Sequence, residues 1–423
     1  MLKKLIGALK FKDMRRKVLI VAVILFIFRL LANIPIPGVN HDALAQFFGS
    51  NQFFGFLNIF SGGALSNLSV AMLGLGPYIT GVIIMQLLTM IFPRLKEMYY
   101  EEGEAGKAKF NRYSRYLTVP LAASSGYGFL KLLSSQGIVG QFTTTEMFVN
   151  VLVIIAGSVF LVWLGELIDE QKIGNGTSIL IMAGILSGLP IAMRNAFLSY
   201  QPSDLTTYIA FVVLALLVIG GIVMMNEGER KVPVSYARRV RGNKLYGGVS
   251  SYLPLRVGQA GVIPIIFAIS LLLFPQFIGQ IVTAFSYDLG TKINNFTSVL
   301  TNNQLVYGLL YFFLVFIFTY FYIGITFDPQ EISKNLQRSG GFIPGIRPGE
   351  PTSIYLKSVV QRVTLFGATA LGLIAILPIL TQAITGTQVL TIGGTSILIV
   401  VAVALDMSKQ IESQVSVREY ENI

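Results

Sequence analysis

Residues 43–93 read ALAQFFGSNQFFGFLNIFSGGALSNLSVAMLGLGPYITGVIIMQLLTMIFP, and these 51 residues include no Asp, Glu, Lys or Arg. A helix crosses the hydrocarbon core of a membrane in about 20 residues, so the stretch is too long for one crossing. The glycines at 62–63 end an apolar piece, residues 53–60, that is too short to cross. The segment GLGP at 74–77 precedes a continuous apolar span, residues 79–92. The stretch therefore predicts one membrane span and a shorter segment before it.

The shorter segment carries polar side chains that need hydrogen-bond partners at membrane depth. They are Asn58, Ser61, Ser66, Asn67 and Ser69. We interpret the segment as re-entrant: it dips back into the protein from the side it left and packs in a cavity, which would imply a pathway. An interfacial helix on the outer membrane surface explains the same residues, and this stretch alone leaves both alternatives open.

The composition of the whole chain is that of a polytopic membrane protein. Of its 423 residues, 53% are hydrophobic and only 13% are charged, and the mean hydropathy is +0.67, unlike a soluble domain. The sequence has no cysteine, which excludes disulfide bonds and thiolate metal sites, and its single histidine, His41, lies in a hydrophilic loop. We therefore expect no metal site and no cofactor.

Apolar runs and the breakers between them predict an all-α membrane protein with ten transmembrane helices. The predicted spans are 18–32, 79–92, 117–133, 147–168, 178–192, 207–225, 257–282 and 305–326, with the ninth and tenth in the uncharged run 363–405. The tail after the tenth span is short, so we expect few contacts from the C-terminus. With five spans in each half, 18–195 and 196–423, the second half would be inverted relative to the first if the halves are duplicates.

Charge predicts the orientation of these spans. On this topology 28 of the 32 lysines and arginines fall on one side of the membrane, and the positive-inside rule makes that side cytoplasmic. Both termini and the long loops 226–252 and 328–356 are therefore predicted to lie on the cytoplasmic side. The membrane is predicted to be the inner (plasma) membrane of the cell. The basic N-terminus, residues 1–17, is predicted to be an amphipathic segment on anionic lipid.

The net charge of +11 does not by itself indicate nucleic acid, because the topology explains most of it. The basic loop 226–252 could hold RNA phosphates, an acidic protein partner or lipid head groups. The positive-inside rule alone is the alternative and is the simpler explanation. In the loop 328–356, the segment IRPGE at 346–350 predicts a stiff turn that holds Arg347 away from the surface.

Interrupted helices at matching positions of two inverted halves indicate where a transport pathway lies. Span 2 is preceded by Gly76 and Pro77, and span 7 carries Pro264 and Pro275. We therefore expect a pathway between the halves, bordered by spans 2 and 7. The alternative is that these prolines only kink membrane helices.

No pattern in the sequence indicates catalysis or ion coupling. None of the predicted spans has an acidic residue near its centre, and the motifs HExxH and GxSxG are absent. What the spans offer is apolar bulk, which could form a constriction that excludes water and ions, or could be ordinary helix packing. The residues concerned are Leu75, Ile79, Ile181, Ile266 and Ile399. A solute transporter with inverted repeats is the competing class of function.

Eight segments, in order along almost the full chain, resemble the SecY family, the central subunit of the bacterial protein-translocation channel. They are NIPIPGV (33–39), FSGGALSNLS (60–69), LGPYIT (75–80), IGNGTS (173–178), PVSYARR (233–239), AGVIPIIFA (260–268), GFIPGIRPGE (341–350) and GGTSILIVV (393–401). The resemblance implies a channel subunit, without catalysis of its own, that passes unfolded secretory polypeptides across the membrane. It also implies lateral release of hydrophobic segments into lipid.

The resemblance assigns roles to particular residues along the pathway. Residues of about 53–72 would form a re-entrant plug helix that closes the channel from outside, with Gly62 and Gly63 as its flexible point. The plug residues are Phe60, Ser61, Gly62, Gly63, Ala64 and Leu65. The five apolar residues named above would form a pore ring around the translocating chain.

Spans 2 and 3 against spans 7 and 8 would form a lateral gate, by the same resemblance. Its candidate residues are Gln86, Gly258, Gln259 and Pro264. Gly258 stands where the family often has an asparagine, so we expect the polar cluster of the gate to be built differently here.

The resemblance also implies partners. Arg347 would engage the motor ATPase SecA, and the loop containing Arg238, Arg239 and Arg241 would dock the ribosome or SecA. The small subunit SecE would clamp the halves, and SecG would add to them. Signal sequences and nascent polypeptides would be the substrates.

Overall fold

The structure, a computed structural model, describes residues 11–36, 61, 63–65, 67–100, 102–135, 137, 139–140, 142–198, 205–236, 239–241, 244–246, 250–285, 287–385 and 393–421. Most of these residues are helical. The helices are α1 Lys12–Leu31, α2 Gly76–Ile91, α3 Pro93–Tyr100, α4 Gly103–Ser135, α5 Thr144–Glu170, α6 Gly176–Leu198, α7 Leu205–Glu227, α8 Ile263–Phe285, α9 Tyr287–Asn302, α10 Gln304–Thr326, α11 Pro329–Arg338, α12 Glu350–Thr385 and α13 Gly393–Glu421. The strands are β1 Glu229–Tyr236, β2 Arg239–Arg241, β3 Lys244–Tyr246, β4 Ser250–Arg256 and β5 Gly341–Phe342.

Among the described residues, three helical segments are long and apolar enough to cross a membrane. They are Thr144–Glu170, Leu305–Arg338 and Glu350–Leu377. A helix pair, Gly76–Thr89 and Pro93–Tyr99, meets the same criterion jointly but is bent by 114°. These segments coincide with predicted spans 2, 4, 8 and 9, while the full set of ten spans stays a prediction.

Helix α5 shows how the local sequence determines where a span begins. Its N-cap, Thr143, accepts a hydrogen bond at Oγ1 from the Glu146 backbone N–H at 3.3 Å. The Glu146 carboxylate in turn accepts from the Thr143 backbone N–H at 2.8 Å. This capping box pairs two backbone donors that a helix start leaves free, so the apolar run of α5 begins at a defined residue.

The chain divides into two compact units. The first comprises Met1–Leu205, Ser270–Asn303 and Val403–Ile423, and the second comprises Thr206–Ile269 and Gln304–Ala402. The predicted halves, 18–195 and 196–423, follow a simpler boundary, and their inversion stays a prediction.

The core of the first unit is an apolar cluster between α4 and α5. Phe129 and Leu133 of α4 are buried with Ile154 of α5, and Ile36, which follows α1, joins them. Three further members come from the segment before α2, namely Leu65, Leu68 and Met72. The segment before α2 is therefore part of the core of this unit.

A turn rich in glycine joins α5 to α6 at very close range. A Cβ added to Gly176 would lie 1.9 Å from the carbonyl oxygen of Gly165, so only glycine lets the two helix backbones meet there. The Asp169 carboxylate accepts a hydrogen bond from the Gly176 N–H at 2.7 Å, and the Asn175 Oδ1 accepts one from the Ser178 N–H at 3.0 Å. Both bonds pair donors at the start of α6.

We predict that Gly176→Ala lowers the thermal unfolding temperature of the purified chain in detergent, because the added methyl group must push α5 and α6 apart. Gly188→Ala, in the same helix, is the matched control, since its Cβ would meet nothing within 4 Å and alanine favours helix by about 1 kcal/mol. Equal unfolding temperatures for the two variants would contradict the close approach.

Part of each long loop predicted to be cytoplasmic folds into a small sheet in the second unit. Strand β1 lies between β4 and β5 and pairs antiparallel with both. In the β1–β5 pairing, Ser235 lies opposite Phe342 and Tyr236 opposite Gly341. The loops 226–252 and 328–356 are therefore joined by backbone hydrogen bonds, and a buried cluster lies beneath them. Its members include Val232, Leu255, Ile323, Ile343, Leu356 and Val360.

The described part of the chain after residue 405 is helical and is hydrogen-bonded within the first unit. Helix α13 continues past residue 405 to Glu421. The Gln414 side chain donates to the carbonyl of Lys172, in the turn after α5, and accepts from the Lys17 ammonium at 2.8 Å. A single polar side chain therefore ties the tail to α1 and to that turn within the first unit.

Candidate functional site

The segment that precedes α2 is irregular but firmly held. Its described residues between 61 and 75 form turns rather than helix. The Ile36 N–H donates to the Leu68 carbonyl at 2.8 Å, and the Val70 N–H donates to the Ile34 carbonyl at 3.0 Å. This two-bond bridge ties the segment to the chain that leaves α1.

This geometry corrects one expectation. The plug was predicted as a helix over residues of about 53–72, whereas its described C-terminal part consists of turns. The reason is visible in the backbone, because Gly63 and Leu68 have positive φ angles of 80° and 41°, which an α-helix does not allow. The rest of the predicted plug, including Phe60 and Gly62, lies outside the described residues.

The same segment is almost completely buried in the first unit. Ala64, Leu65, Leu68 and Ser69 are each at most 2% exposed. A Cβ added to Gly157 would lie 2.1 Å from the Val70 carbonyl oxygen, so α5 touches the segment at backbone distance. Hence residues 64–65 and 67–72, which we call the anchor, are held in the core of the first unit.

The anchor begins beside a charged side chain. The guanidinium Nη1 of Arg29 lies 3.8 Å from the position that a Cβ of Gly63 would occupy. One turn further on, Asn67 donates to the Asn33 side-chain oxygen at 3.2 Å. Polar groups of the anchor therefore have partners at the end of α1, as irregular backbone among membrane helices requires.

The five residues predicted for the pore ring are all apolar and largely buried, and they belong to different elements. Leu75 and Ile79 lie at the start of α2 and Ile181 on α6, all in the first unit. Ile266 of α8 and Ile399 of α13 belong to the second unit. Their assembly into one ring stays a prediction.

Gln86 of α2, a candidate gate residue, is a buried polar group in an apolar helix. Its side-chain carbonyl oxygen has no hydrogen-bond partner within the described part of the chain. An unpaired buried acceptor costs about 1–3 kcal/mol. A buried polar group that lowers stability in this way is expected to serve another purpose, so Gln86 is a candidate functional residue.

The structure explains the glycine at position 258. A Cβ there would lie 2.5 Å from the side-chain oxygen of Asn226, at the end of α7. On the other side, a Cβ on Gly367 of α12 would lie 2.6 Å from the Val257 carbonyl oxygen. The Val257 N–H also donates to the Gly228 carbonyl at 2.9 Å. Three chain segments thus meet closely, and a side chain at 258 would have to displace the Asn226 side chain.

Two other gate candidates adjoin this junction. Gln259 is half-buried in the turn that leads to α8, and Pro264 is buried at the second position of that helix. Gly261 between them has a φ of 58°, a conformation that glycine adopts readily. The turn sequence therefore sets the direction in which α8 starts.

We predict that Gly258→Asn destabilises the chain by about 1–3 kcal/mol, because the new side chain overlaps Asn226. The double variant Gly258→Asn with Asn226→Gly should recover most of that loss, since it vacates the space. Denaturant unfolding in detergent would measure both, with Gln259→Asn as a neighbouring control. A double variant no more stable than the single one would contradict the overlap.

Arg347 is exposed, and buried hydroxyl groups hold the loop that carries it. The Thr352 hydroxyl donates to the Arg347 carbonyl at 2.8 Å. The Ser333 hydroxyl, on α11, donates to the Gly349 carbonyl at 2.6 Å. The loop is therefore fastened at two points, as its stiff sequence predicted, and Arg347 leaves a rigid base.

The structure describes only some of the basic residues predicted to dock a partner. Arg239 and Arg241 lie on β2, which pairs with β3 in a separate two-stranded sheet, and Arg238 lies outside the described residues. Strand β2 follows β1, to which β5 is paired. The Arg347 loop follows β5, so the three-stranded sheet positions the start of that loop.

We predict that Thr352→Ala loosens the Arg347 loop. Loss of one buried hydrogen bond of about 1 kcal/mol should speed amide hydrogen exchange at residues 343–349 roughly fivefold. Thr352→Ser retains the hydroxyl and should exchange like the parent. Thr369→Ala is a second control, because the Thr369 hydroxyl donates only within α12. Unchanged exchange in Thr352→Ala would show that the bond does not hold the loop.

Sequence reasoning missed an ion pair between α4 and α5. The Arg115 guanidinium lies 2.8 Å from the Glu166 carboxylate, and both side chains are partly buried. Arg115 precedes the predicted span 117–133, whereas α4 begins at Gly103 and carries it. No local signal could have paired residues 51 positions apart.

Apolar helices of spanning length, an irregular segment anchored among them and folded charged loops define a multi-helix membrane protein. The SecY family model matches residues 69–408 of the chain. The protein named Protein translocase subunit SecY from Mycobacterium bovis is 42% identical over 443 residues, covering 100% of this chain and 99% of that one. The protein of the same name from Streptomyces coelicolor is 42% identical over 432 residues, covering 98% of each. The chain belongs to the SecY family.

Solved structures share its fold. One described as a protein conducting channel matches with a TM-score of 0.64 at 18% identity, over 93% of this chain and 91% of that chain. A SecY protein whose plug domain is described as stabilising the closed state of the translocation channel matches with a TM-score of 0.63 at 19% identity, over the same shares of the two chains. Sec61 in the canine ribosome-channel complex from the endoplasmic reticulum matches with a TM-score of 0.63 at 18% identity, again over 93% of this chain and 91% of that chain.

Proposed function

We propose that this chain is the channel subunit of a protein translocase, which passes unfolded secretory polypeptides across the membrane and releases hydrophobic segments sideways into lipid. The observation that carries the proposal is identity of 42%, over the full length, to chains named Protein translocase subunit SecY. The irregular segment before α2 also supports it. A SecY protein with the same fold is described as having a plug domain that stabilises the closed channel, and this segment could serve as such a plug.

The apolar ring gives this function a physical basis. Leu75, Ile79, Ile181, Ile266 and Ile399 can exclude water and ions without binding any particular side chain. A substrate of arbitrary sequence needs such a seal, since fixed charges would select among substrates. The chain itself would supply no catalysis, and the energy for movement would come from its partners.

The plug would cover the ring at rest and would move about its fixed end. Because Leu65, Leu68 and Ser69 are buried, and Leu68 and Val70 are hydrogen-bonded to the chain after α1, we expect these residues to stay in place when the channel opens. The plug could then open while the core of the first unit stays intact.

The lateral gate would lie between spans 2 and 3 and spans 7 and 8, with Gln86, Gly258, Gln259 and Pro264 as its residues. Hydrophobic segments of about 20 residues would leave through it, because apolar surface is more stable in lipid than in a wet channel. With glycine at 258, Gln86 would supply the polar character of the gate from span 2.

The proposed topology has ten spans in two inverted halves, 18–195 and 196–423, in the inner (plasma) membrane. The amphipathic N-terminus, residues 1–17, and the C-terminus would both be cytoplasmic. The loops 226–252 and 328–356 would lie on the same side, in agreement with their charge.

The joined basic loops are the proposed docking surface for cytoplasmic partners. Sec61, which has the same fold, is described in a ribosome-channel complex, and we propose the ribosome and the motor ATPase SecA as alternative partners here. Arg347 would engage SecA from its rigid loop. Arg238, Arg239 and Arg241 would dock the ribosome or SecA, with SecE and SecG completing the membrane complex.

The experiment that tests the function uses the absence of native cysteine. One cysteine would replace Ile181, another would be placed in a stalled secretory chain, and disulfide formation would be measured in membranes. We expect a crosslink only when the stalled chain is present. Leu186→Cys is the matched control, because Leu186 lies on the same helix but is 41% exposed, and it should not crosslink.

Failure at every ring position, with the stalled chain demonstrably engaged at the membrane, would overturn the channel function. A solute transporter with inverted repeats would then be favoured. That function requires polar substrate contacts in spans 2 and 7 and a flux of small molecules, which reconstituted vesicles would reveal.

A further inference from the structure

Helix α9 was not foreseen from the sequence, and it presents apolar side chains to its surroundings. Leu289, Phe296 and Val299 are 57%, 67% and 70% exposed. Leu289 and Phe296 are seven residues apart, or two helical turns, and Val299 follows three residues later, so the three share one side of the helix. An exposed stripe of this size is unfavourable in water.

The remaining sides of α9 have different surroundings. Gly290 and Thr297 are buried against the protein, and they too are seven residues apart, on a flank next to the apolar stripe. Asp288 and Asn295 are exposed on the polar side. One flank of the helix thus packs against the protein, while the described part of the chain leaves its apolar stripe and its polar side uncovered.

The chain connections place α9 at a membrane surface. Helix α8 ends at Phe285 and α9 begins at Tyr287, while α9 ends at Asn302 and α10 begins at Gln304. If α8 and α10 both cross the membrane, the two ends of α9 lie at the same membrane face. Its 16 residues extend about 24 Å, so the helix must run along that face rather than into the membrane.

We propose that α9 is an interfacial anchor whose apolar stripe, Leu289, Phe296 and Val299, inserts into the outer lipid leaflet. The partner is the bilayer itself. Exposed Lys292 lies between Phe296 and Val299 around the helix, where its ammonium group can reach lipid phosphate while its methylene stem follows the apolar stripe. The placement on the outer face depends on the proposed topology and extends the proposed function.

The test places a single cysteine at Phe296 or at Asn295 of the full chain and labels it with a fluorophore sensitive to its environment. The labelled chains are reconstituted in vesicles of phosphatidylethanolamine and phosphatidylglycerol that contain nitroxide-labelled lipid. We expect the lipid nitroxide to quench the Phe296→Cys label several-fold more strongly than the Asn295→Cys label. Aqueous iodide should show the reverse order. The two labels sit on adjacent residues about 100° apart around one helix, so the comparison is matched in depth along the helix.

Two results would overturn the anchor. Equal quenching of both labels by iodide would show that the stripe faces water. Shielding of the Phe296→Cys label from lipid and iodide alike would show that a protein partner covers it.

A separate readout distinguishes failure of the anchor from failure of the proposed topology. In intact cells, a membrane-impermeant maleimide should react with Asn295→Cys from outside. Absence of that reaction would reject the topology and the outer-leaflet placement together. Reaction from outside without lipid quenching at Phe296→Cys would reject the anchor and leave the topology standing.

Discussion

The structure depends on one constraint: inside a hydrocarbon layer, every backbone N–H and C=O group must find its partner within the protein. Helices satisfy it locally. The irregular anchor before α2 cannot, so its backbone is bonded to the chain after α1 through Ile36 and Val70, and its side chains fill the core of the first unit. A segment built in this way can lie among membrane helices without being one. That is what a plug with a fixed end requires.

Glycine determines how closely the elements of each unit approach one another. Gly157 lets α5 touch the anchor, Gly176 lets α6 start against α5, and Gly258 lets the turn before α8 lie under Asn226. In lipid, helix association relies on van der Waals contact and interhelical hydrogen bonds, so small residues at such contacts matter more than in water. The departure at position 258 is therefore a packing feature of the second unit, and Gln86 and Gln259 are the polar residues of the proposed gate.

Charged and apolar surfaces of this protein have different proposed roles. The sheet formed by β1, β4 and β5 joins two basic loops, and the Thr352 hydroxyl holds the loop that carries Arg347. The candidate ring is purely apolar, as a seal for arbitrary polypeptides requires. Helix α9 adds a third surface, whose exposed apolar stripe and Lys292 suit the boundary between lipid and water.

Sequence alone determined the helical class, the positions of α5, α10 and α12 and the apolar character of the ring. Each depends on hydropathy and charge over a few neighbouring residues, and a membrane selects for these locally. Tertiary structure alone decided that the anchor is turns, that β5 joins β1, that Gln414 ties the tail to Lys17 and that Asn226 occupies the space beside Gly258. Each of these brings together residues remote in sequence, through backbone distances and packing that no local pattern encodes.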